Sequence, residues 1–391
     1  MKALFSIGFR PFFLLAGLQA ALSIILWVFT YNGILTLDTA WQNPIVWHGH
    51  EMIFGFAVAV IAGFLLTAIP NWTSTVPING GKLIFLALLW FIGRIAMHTS
   101  LIPPHITAGI DILFLPILML MLSSVLIKAK AIANMAFLVI LGILAVLNAL
   151  THLSVLNMID LDATNIMFFA IHLIIFIITI IGGRVIPFFT RNGLALKNIN
   201  IEVTHQPLTD KLALGLMFTL AIVGYITEFH GQVFAILAFA TALVHTIRLS
   251  RWHGFKTLSI PILWILHIGY SWLIIGLILE GIHAWSYVIS IHLAMHAFTV
   301  GAIGTMILGM MTRVSLGHTG REIKAYLPII LSYIILQAAV IIRIAGGIFF
   351  EELYVDSIII SGILWAAAFM IFTIIYLPIL VTKRPDENGI N

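Results

Sequence analysis

The chain has 391 residues, 61% of them hydrophobic and only 9% charged, with a formal net charge of +4 and a mean hydropathy of +1.13. No soluble domain of this length carries so little charge, so the composition is that of a polytopic membrane protein with the lipid bilayer as solvent and no nucleic acid as partner. Cysteine is absent, which excludes disulfides, Cys-ligated iron–sulfur clusters, thiolate-bound haem, blue copper and CxxCH haem attachment, while fifteen histidines, as many as Asp and Glu together, are available as ligands.

About 20 apolar residues cross the hydrocarbon core as a helix. That rule predicts twelve spans, at 12–30, 45–69, 82–98, 106–127, 132–152, 164–187, 211–228, 231–247, 260–280, 285–311, 326–349 and 356–381. The first follows the basic head "MK" and is too long for a signal h-region, so it reads as a retained span. No internal repeat or soluble insertion interrupts the series, and residues 1–391 read as a single transmembrane domain. The expected fold is an all-α polytopic helical bundle.

The loops after odd-numbered spans contain no Lys or Arg, whereas the opposite side takes 17 of the 19 basic residues. Basic loops stay in the cytoplasm, so both termini are cytoplasmic. A wrong helix count would scramble this alternation. Counting depth at about 1.5 Å per residue places ten of the fifteen histidines in the outer half or the outer loops.

The second span opens "NPIVWHGHEMIFGF", with His48, His50 and Glu51 at its outer mouth. If Pro44 is the first helical residue, both histidines lie about one turn in. Positions i and i+2 point to different faces, so a regular helix cannot chelate one ion with both. Glu51 shares a face with His48 and is placed to orient its ring, as carboxylates do for ligating histidines. One histidine as a ligand with the other supporting it, or a polar belt at the interface with Trp47, are the two readings.

Arg94 in the third span and Asp111 in the fourth fall at similar depths on consecutive antiparallel helices, which points to an ion pair. His172 in the sixth span and His292 and His296 in the tenth are matched in depth, roughly 10 to 16 Å below the outer surface. His292 and His296 are spaced i, i+4, on one face about 6 Å apart. Three imidazoles on two helices suit axial ligation of a haem, or a haem beside a second metal; hydrogen bonding across helix contacts is the other use of such rings. Arg343 in the eleventh span has no helical carboxylate at its level and is placed either for a bound anion, such as a haem propionate, or for an outer-loop acid.

On the cytoplasmic side the stretches "GFRPFF", "GGRVIPFFTRNG" and "MMTRVSLGHTGRE" put Arg184, Arg313, His318 and Arg321 at helix ends, with no role that the residues alone decide.

The strings "FRPFFLLAG", "WHGHEMIFGFAVAVIAGFLLTAIPNWT", "GGRVIPFFT", "LHIGYSWL" and "HAFTVGAIGTMILGMMTRVSLGHTGR", spread between residues 8 and 321, resemble the NnrS family, with "HAFT" in place of "HALT". The resemblance implies a multi-pass protein of the bacterial inner membrane that contains haem and copper and belongs to the nitric-oxide response. On that footing the expected cofactors are haem b and copper. The resemblance does not assign histidines to metals; depth and facing make His172, His292, His296 and Arg343 the expected haem site, and His48, His50 and Glu51 the second metal centre. The expected activity is nitric oxide binding and reduction to nitrous oxide, with electrons from a quinol or protein donor and protection against nitrosative stress as the outcome. A non-catalytic nitric-oxide- or metal-binding protein and a transporter are the alternatives. No catalytic residue is assigned beyond these ligands.

Overall fold

The computed structural model describes residues 3–36, 38–202 and 206–385. Among them are twelve helices long and apolar enough to cross a membrane, and no strand. We number them α1 (Phe9–Tyr31), α2 (Pro44–Thr73), α3 (Gly80–Met97), α4 (Pro104–Lys128), α5 (Ala136–Val155), α6 (Ala163–Ala195), α7 (Pro207–Ile226), α8 (Gln232–Ser250), α9 (Pro261–Ser286), α10 (Ile291–His318), α11 (Leu327–Phe349) and α12 (Tyr354–Val381). The described residues form an all-α helical bundle of twelve candidate membrane spans, as the hydropathy pattern predicts.

The ends of the helices follow local chemistry. Pro44 opens α2, and the Asn43 side chain accepts hydrogen bonds from the amides of Ile45 (3.0 Å) and Val46 (3.3 Å), which satisfies two of the orphan donors of the first turn. α4 breaks at Leu113, between segments Pro104–Ile112 and Phe114–Lys128. Pro116 lies one turn on, with no amide to offer Ile112 and a ring that crowds its carbonyl, so the break falls just past Asp111. α10 begins at Ile291, where hydropathy alone places its start at 285, because α9 runs on to Ser286 and Ser290 caps the next helix through the amide of His292 (3.3 Å). The later start carries His292 and His296 into the first two turns of α10, nearer its mouth than hydropathy places them.

Two spans are not uniform helices. α2 is π-helical over Glu51–Ala57, and α10 over Ala297–Gly304. Each π segment begins at the residue after a histidine, His50 or His296. A wider turn of this kind rotates the following side chains out of α register, and such segments are frequent at functional sites.

The chain divides into two compact units, one of Met1–Ala170, Val314–Glu322 and Phe369–Asn391, the other of Ile171–Arg313 and Ile323–Ala368. In the first, α1 lies close against α2: a Cβ added at Gly63 would come within 2.9 Å of Phe12 Cβ. Small residues at such crossings let helices gain packing contact that lipid cannot supply. In the second, α9 and α10 interlock, with Phe298 over Gly276 and Trp272 over Gly301. Trp272 Nε1 donates to Gln337 Oε1 (2.8 Å), and Gln337 Nε2 donates to Thr305 Oγ1 (3.0 Å), which joins α9, α10 and α11 through polar groups. The large side chains left exposed, such as Leu88, Leu120 and Val139, suit a surface in contact with acyl chains.

Within the first unit the buried Arg10 of "FRPFF" donates through Nη1 to the carbonyls of Leu380 (2.9 Å) and Thr382 (2.6 Å), tying α1 to the end of α12. Arg321 adds a bond from Nη2 to Thr382 Oγ1 (3.1 Å), and His318 packs on Phe9 with ring centroids 5.8 Å apart. Arg10→Ala removes charged hydrogen bonds to two carbonyls and should cost about 2–3 kcal/mol. Thermal unfolding of the purified variant in detergent should show a midpoint several degrees below that of the parent.

Candidate metal centre

Four helices of the first unit bring polar side chains to one buried point. α2 supplies His50 and Glu51, α3 Arg94, α4 Asp111, and α5 Asn148 and His152, all at most 5% exposed. Arg94 is the hub. Its Nη1 donates to Glu51 Oε1 (2.5 Å), and its Nη2 donates to Asp111 Oδ1. Both carboxylates sit at a change in helix geometry, Glu51 at the start of the π segment in α2 and Asp111 just before the break in α4. Gly55 makes room for it, since a Cβ there would lie 2.9 Å from Arg94 Nη1 and 3.2 Å from Gln19 Nε2.

The histidines close the other side. His50 Nε2 lies 2.9 Å from Asn148 Oδ1 and 3.2 Å from Asp111 Oδ2, while its Nδ1 lies 3.1 Å from Glu51 Oε1. Asn148 Nδ2 donates to Asp111 Oδ2 (2.9 Å), which turns its carbonyl oxygen toward His50. His152 Nε2 reaches the same Asp111 Oδ2 at 3.0 Å, and its Nδ1 is buried with no hydrogen-bond partner among the described residues. The rings of His50 and His152 meet edge to face at 5.1 Å, and Trp41 caps both. A cavity of about 10 Å³ adjoins Asp111, Arg94 and Asn148, at the lower limit for one water or one ion.

Charge decides what this cluster can hold. Two carboxylates face one guanidinium, which leaves one net negative charge in apolar surroundings when the imidazoles are neutral. His50 meets oxygen acceptors with both ring nitrogens, yet a neutral ring donates only one N–H. One added proton on His50 satisfies both counts. A cation seated between His50, His152 and Asp111 satisfies them equally. The donor atoms of those three residues lie within 4.8 Å of one another, and among the described residues they form the only such group of three metal-capable side chains. Two imidazoles and a carboxylate suit copper or zinc, and a set without thiolate is what a chain lacking cysteine must use.

Glu51 and His50 enter the cluster, but His48 does not: it stacks on Trp27, with centroids 4.7 Å apart and planes 12° off parallel. Spacing puts Glu51 on the face of His48. In the structure its carboxylate meets His50, its neighbour in the chain, at 3.1 Å from Nδ1. Arg94 and Asp111 make contact directly. His152 and Asn148 escape a reading based on matched depths; their signal is the i, i+4 pair "NALTH" in an otherwise apolar span. A relay leads out of the cluster, as Gln19 Nε2 donates to Glu51 Oε2 and Ser23 Oγ (2.7 Å each), and Ser23 Oγ lies 3.4 Å from His98 Nε2. The His98 side chain is 23% exposed.

The second unit holds the other predicted ligands. His172 is fully buried, with Nε2 at 3.0 Å from Glu280 Oε1 and its ring between Phe229 and Phe298. His296 Nδ1 donates to the carbonyl of His292 (2.6 Å), which fixes the tautomer with the lone pair on Nε2. His292 is exposed at the helix mouth, within electrostatic range of Arg343 and His283. His283, which depth alone does not single out, donates from Nδ1 to the carbonyl of Ile289 (2.7 Å), and its buried Nε2 has no partner among the described residues. Arg343 is 6% exposed, and its Nη1 is likewise buried and unbonded among the described residues. Arg343 Nη2 lies 3.4 Å from Tyr354 Oη, and with no ion pair among the described residues this guanidinium, together with the Nδ1-donating rings of His283 and His296, offers donors that suit an anionic metal-containing group such as haem. Of the cytoplasmic residues, Arg313 lies over the Phe189 ring at 3.8 Å, and Arg184 borders a cavity between α6, α7 and α8.

A model of the family described as NnrS protein matches residues 3–384. No curated protein matches the chain.

Removing Arg94 strands two buried carboxylates, so Arg94→Ala should destabilise the protein by about 3–5 kcal/mol. Arg94→Ala combined with Asp111→Asn should be less harmful than the sum of the single changes. A double-mutant cycle by thermal unfolding measures the difference, and strict additivity would contradict the shared-guanidinium arrangement.

Proposed function

The chain belongs to the NnrS family of membrane proteins, associated with nitric oxide, haem and copper, and from that premise we propose that it is a haem- and copper-containing oxidoreductase that binds nitric oxide and reduces it to nitrous oxide, relieving nitrosative stress. The observation that carries this reading is the buried set His50, Asp111 and His152, whose donors converge within 4.8 Å around one uncompensated negative charge.

His50 and His152 serve as the imidazole ligands of the copper site and Asp111 as its carboxylate ligand. Glu51 holds the His50 ring through Nδ1, the arrangement that orients ligating histidines and raises their basicity. Arg94 holds the Glu51 and Asp111 carboxylates aimed inward. Trp41 and Phe54 keep water from the rings of His50 and His152. In the second unit, His172, His292 and His296 are the candidate haem ligands, and Arg343 is placed for a propionate. Bound copper and haem iron supply nitric oxide coordination and electron transfer, which no side chain of this protein can provide. The net reaction joins two NO with two electrons and two protons to give nitrous oxide and water, with a quinol or protein as the electron donor. Protons reach Glu51 from His98, whose Nδ1 lies 3.7 Å from Glu51 Oε2, while Gln19 holds that carboxylate oxygen in place.

The same residues serve a non-catalytic protein that only captures nitric oxide, and turnover separates the two. Purified protein made with haem available should show a Soret band that shifts with nitric oxide. With a reductant it should release nitrous oxide over many cycles. Uptake that stops after one equivalent contradicts catalysis, and the lack of a Soret band contradicts the haem assignment. Glu51→Gln, which disturbs the support of His50 without removing a ligand, should weaken copper affinity roughly tenfold to a hundredfold while the haem spectrum stays unchanged.

A further inference from the structure

At the cytoplasmic ends of α6, α7 and α8, within the second unit, lies a cavity of about 470 Å³. Its apolar lining includes Ile180, Leu214 and Phe188. Among these side chains stand Arg184, Arg191 and Arg248 with a single carboxylate, Asp210, which leaves two positive charges in excess. The positive-inside rule accounts for arginines at this depth but not for how these are built in.

Arg248 is 5% exposed and held on three sides. Its Nε donates to Asp210 Oδ1 (2.7 Å), and its Nη1 donates to the carbonyl of Thr179 (2.9 Å) and to Tyr270 Oη (3.0 Å). Nη2 makes no hydrogen bond among the described residues and lies directly over Gly183, where an added Cβ would overlap it at 1.9 Å. The glycine of "GGR" therefore clears the space in which this guanidinium stands beside the cavity. Arg184 has no ion-pair partner among the described residues, and Arg191 is held only against the Phe188 ring (5.8 Å). Gln206 Oε1 is buried at the cavity with no hydrogen-bond partner among the described residues, an acceptor available to a donor in the cavity.

We propose that this cavity is a binding site for an anionic glycerophospholipid with a hydroxylated headgroup. The phosphodiester takes the charge of Arg184, Arg191 and Arg248, a headgroup hydroxyl donates to Gln206 Oε1, and an acyl chain runs along Ile180 and Leu214. Basic pockets between spans on the cytoplasmic side hold anionic headgroups by this chemistry. The apolar lining selects a phosphate carried on a lipid over free phosphate, since a small hydrated anion gains nothing from it.

The test is a native mass spectrometry titration of the delipidated full-length protein in detergent. Phosphatidylglycerol, phosphatidylcholine and inorganic phosphate are the probes. The protein should retain one phosphatidylglycerol in clear preference to phosphatidylcholine. Arg184→Gln combined with Arg191→Gln, both exposed positions, should weaken that binding about thirtyfold, taking each arginine at its typical worth near a membrane surface. Lys82→Gln combined with Lys128→Gln, on the same side but outside the cavity, should leave it unchanged. Phosphatidylglycerol should also raise the unfolding temperature of the parent and not that of the double arginine variant. Equal binding of both lipids, an equal loss in the lysine variant, or displacement of the lipid by an equal concentration of inorganic phosphate would overturn the proposal.

Discussion

Arg94 stands between two buried carboxylates, and the first unit is organised around that contact. Glu51 and Asp111 come from α2 and α4, and neither is tolerable as a lone charge in hydrocarbon. One guanidinium can bind both but can neutralise only one. The remaining charge explains why two histidines, an asparagine and a glutamine crowd the same point, and why the cluster is suited to take up a proton or a metal ion. Buried ion pairs are often no more stable than apolar packing, so a pair kept with an unmatched charge is more readily understood as a site than as a brace.

The irregular backbone adjoins the same contact. Glu51 keeps α register with the turn before it, its amide bonded to the carbonyls of Trp47 and His48, and its carboxylate meets both His50 and Arg94. The widening begins there and rotates the residues that follow, Gly55 beside the guanidinium among them, and the break before Pro116 comes just after Asp111. α10 repeats the device after His296. Both π segments follow the residues to which the chain's chemistry is assigned, so departure from α geometry and candidate function coincide twice in one molecule.

The spans were legible in the sequence because the hydrocarbon core demands about 20 apolar residues and loop charge alternates with each crossing. Matched depth on consecutive helices was enough to pair Arg94 with Asp111. What hydropathy does not encode is rotation about a helix axis. The meeting of Glu51 with His50 joins neighbours in the chain, which a count of i, i+3 and i, i+4 spacings passes over. His152 was visible only as one polar residue among many in the outer half, and its place beside Asp111 depends on how α5 packs on α4. The start of α10 was obscured because the apolar residues closing α9 run into it without a break in hydropathy, and the cap at Ser290 sets the boundary. Arg184 was legible as a helix-end arginine; the cavity it borders follows from the clearance at Gly183, which only the packing of α6 against α8 reveals.

The claim on which this account rests is that His50, His152 and Asp111 hold copper through nitrogen and oxygen alone. X-ray absorption at the copper edge of the purified protein tests it most directly. The expected result is a copper centre with imidazole scattering and no sulfur shell, which is lost in His152→Ala while the protein stays folded. A copper signal that contains sulfur, or one left intact by both His50→Ala and His152→Ala, would contradict it.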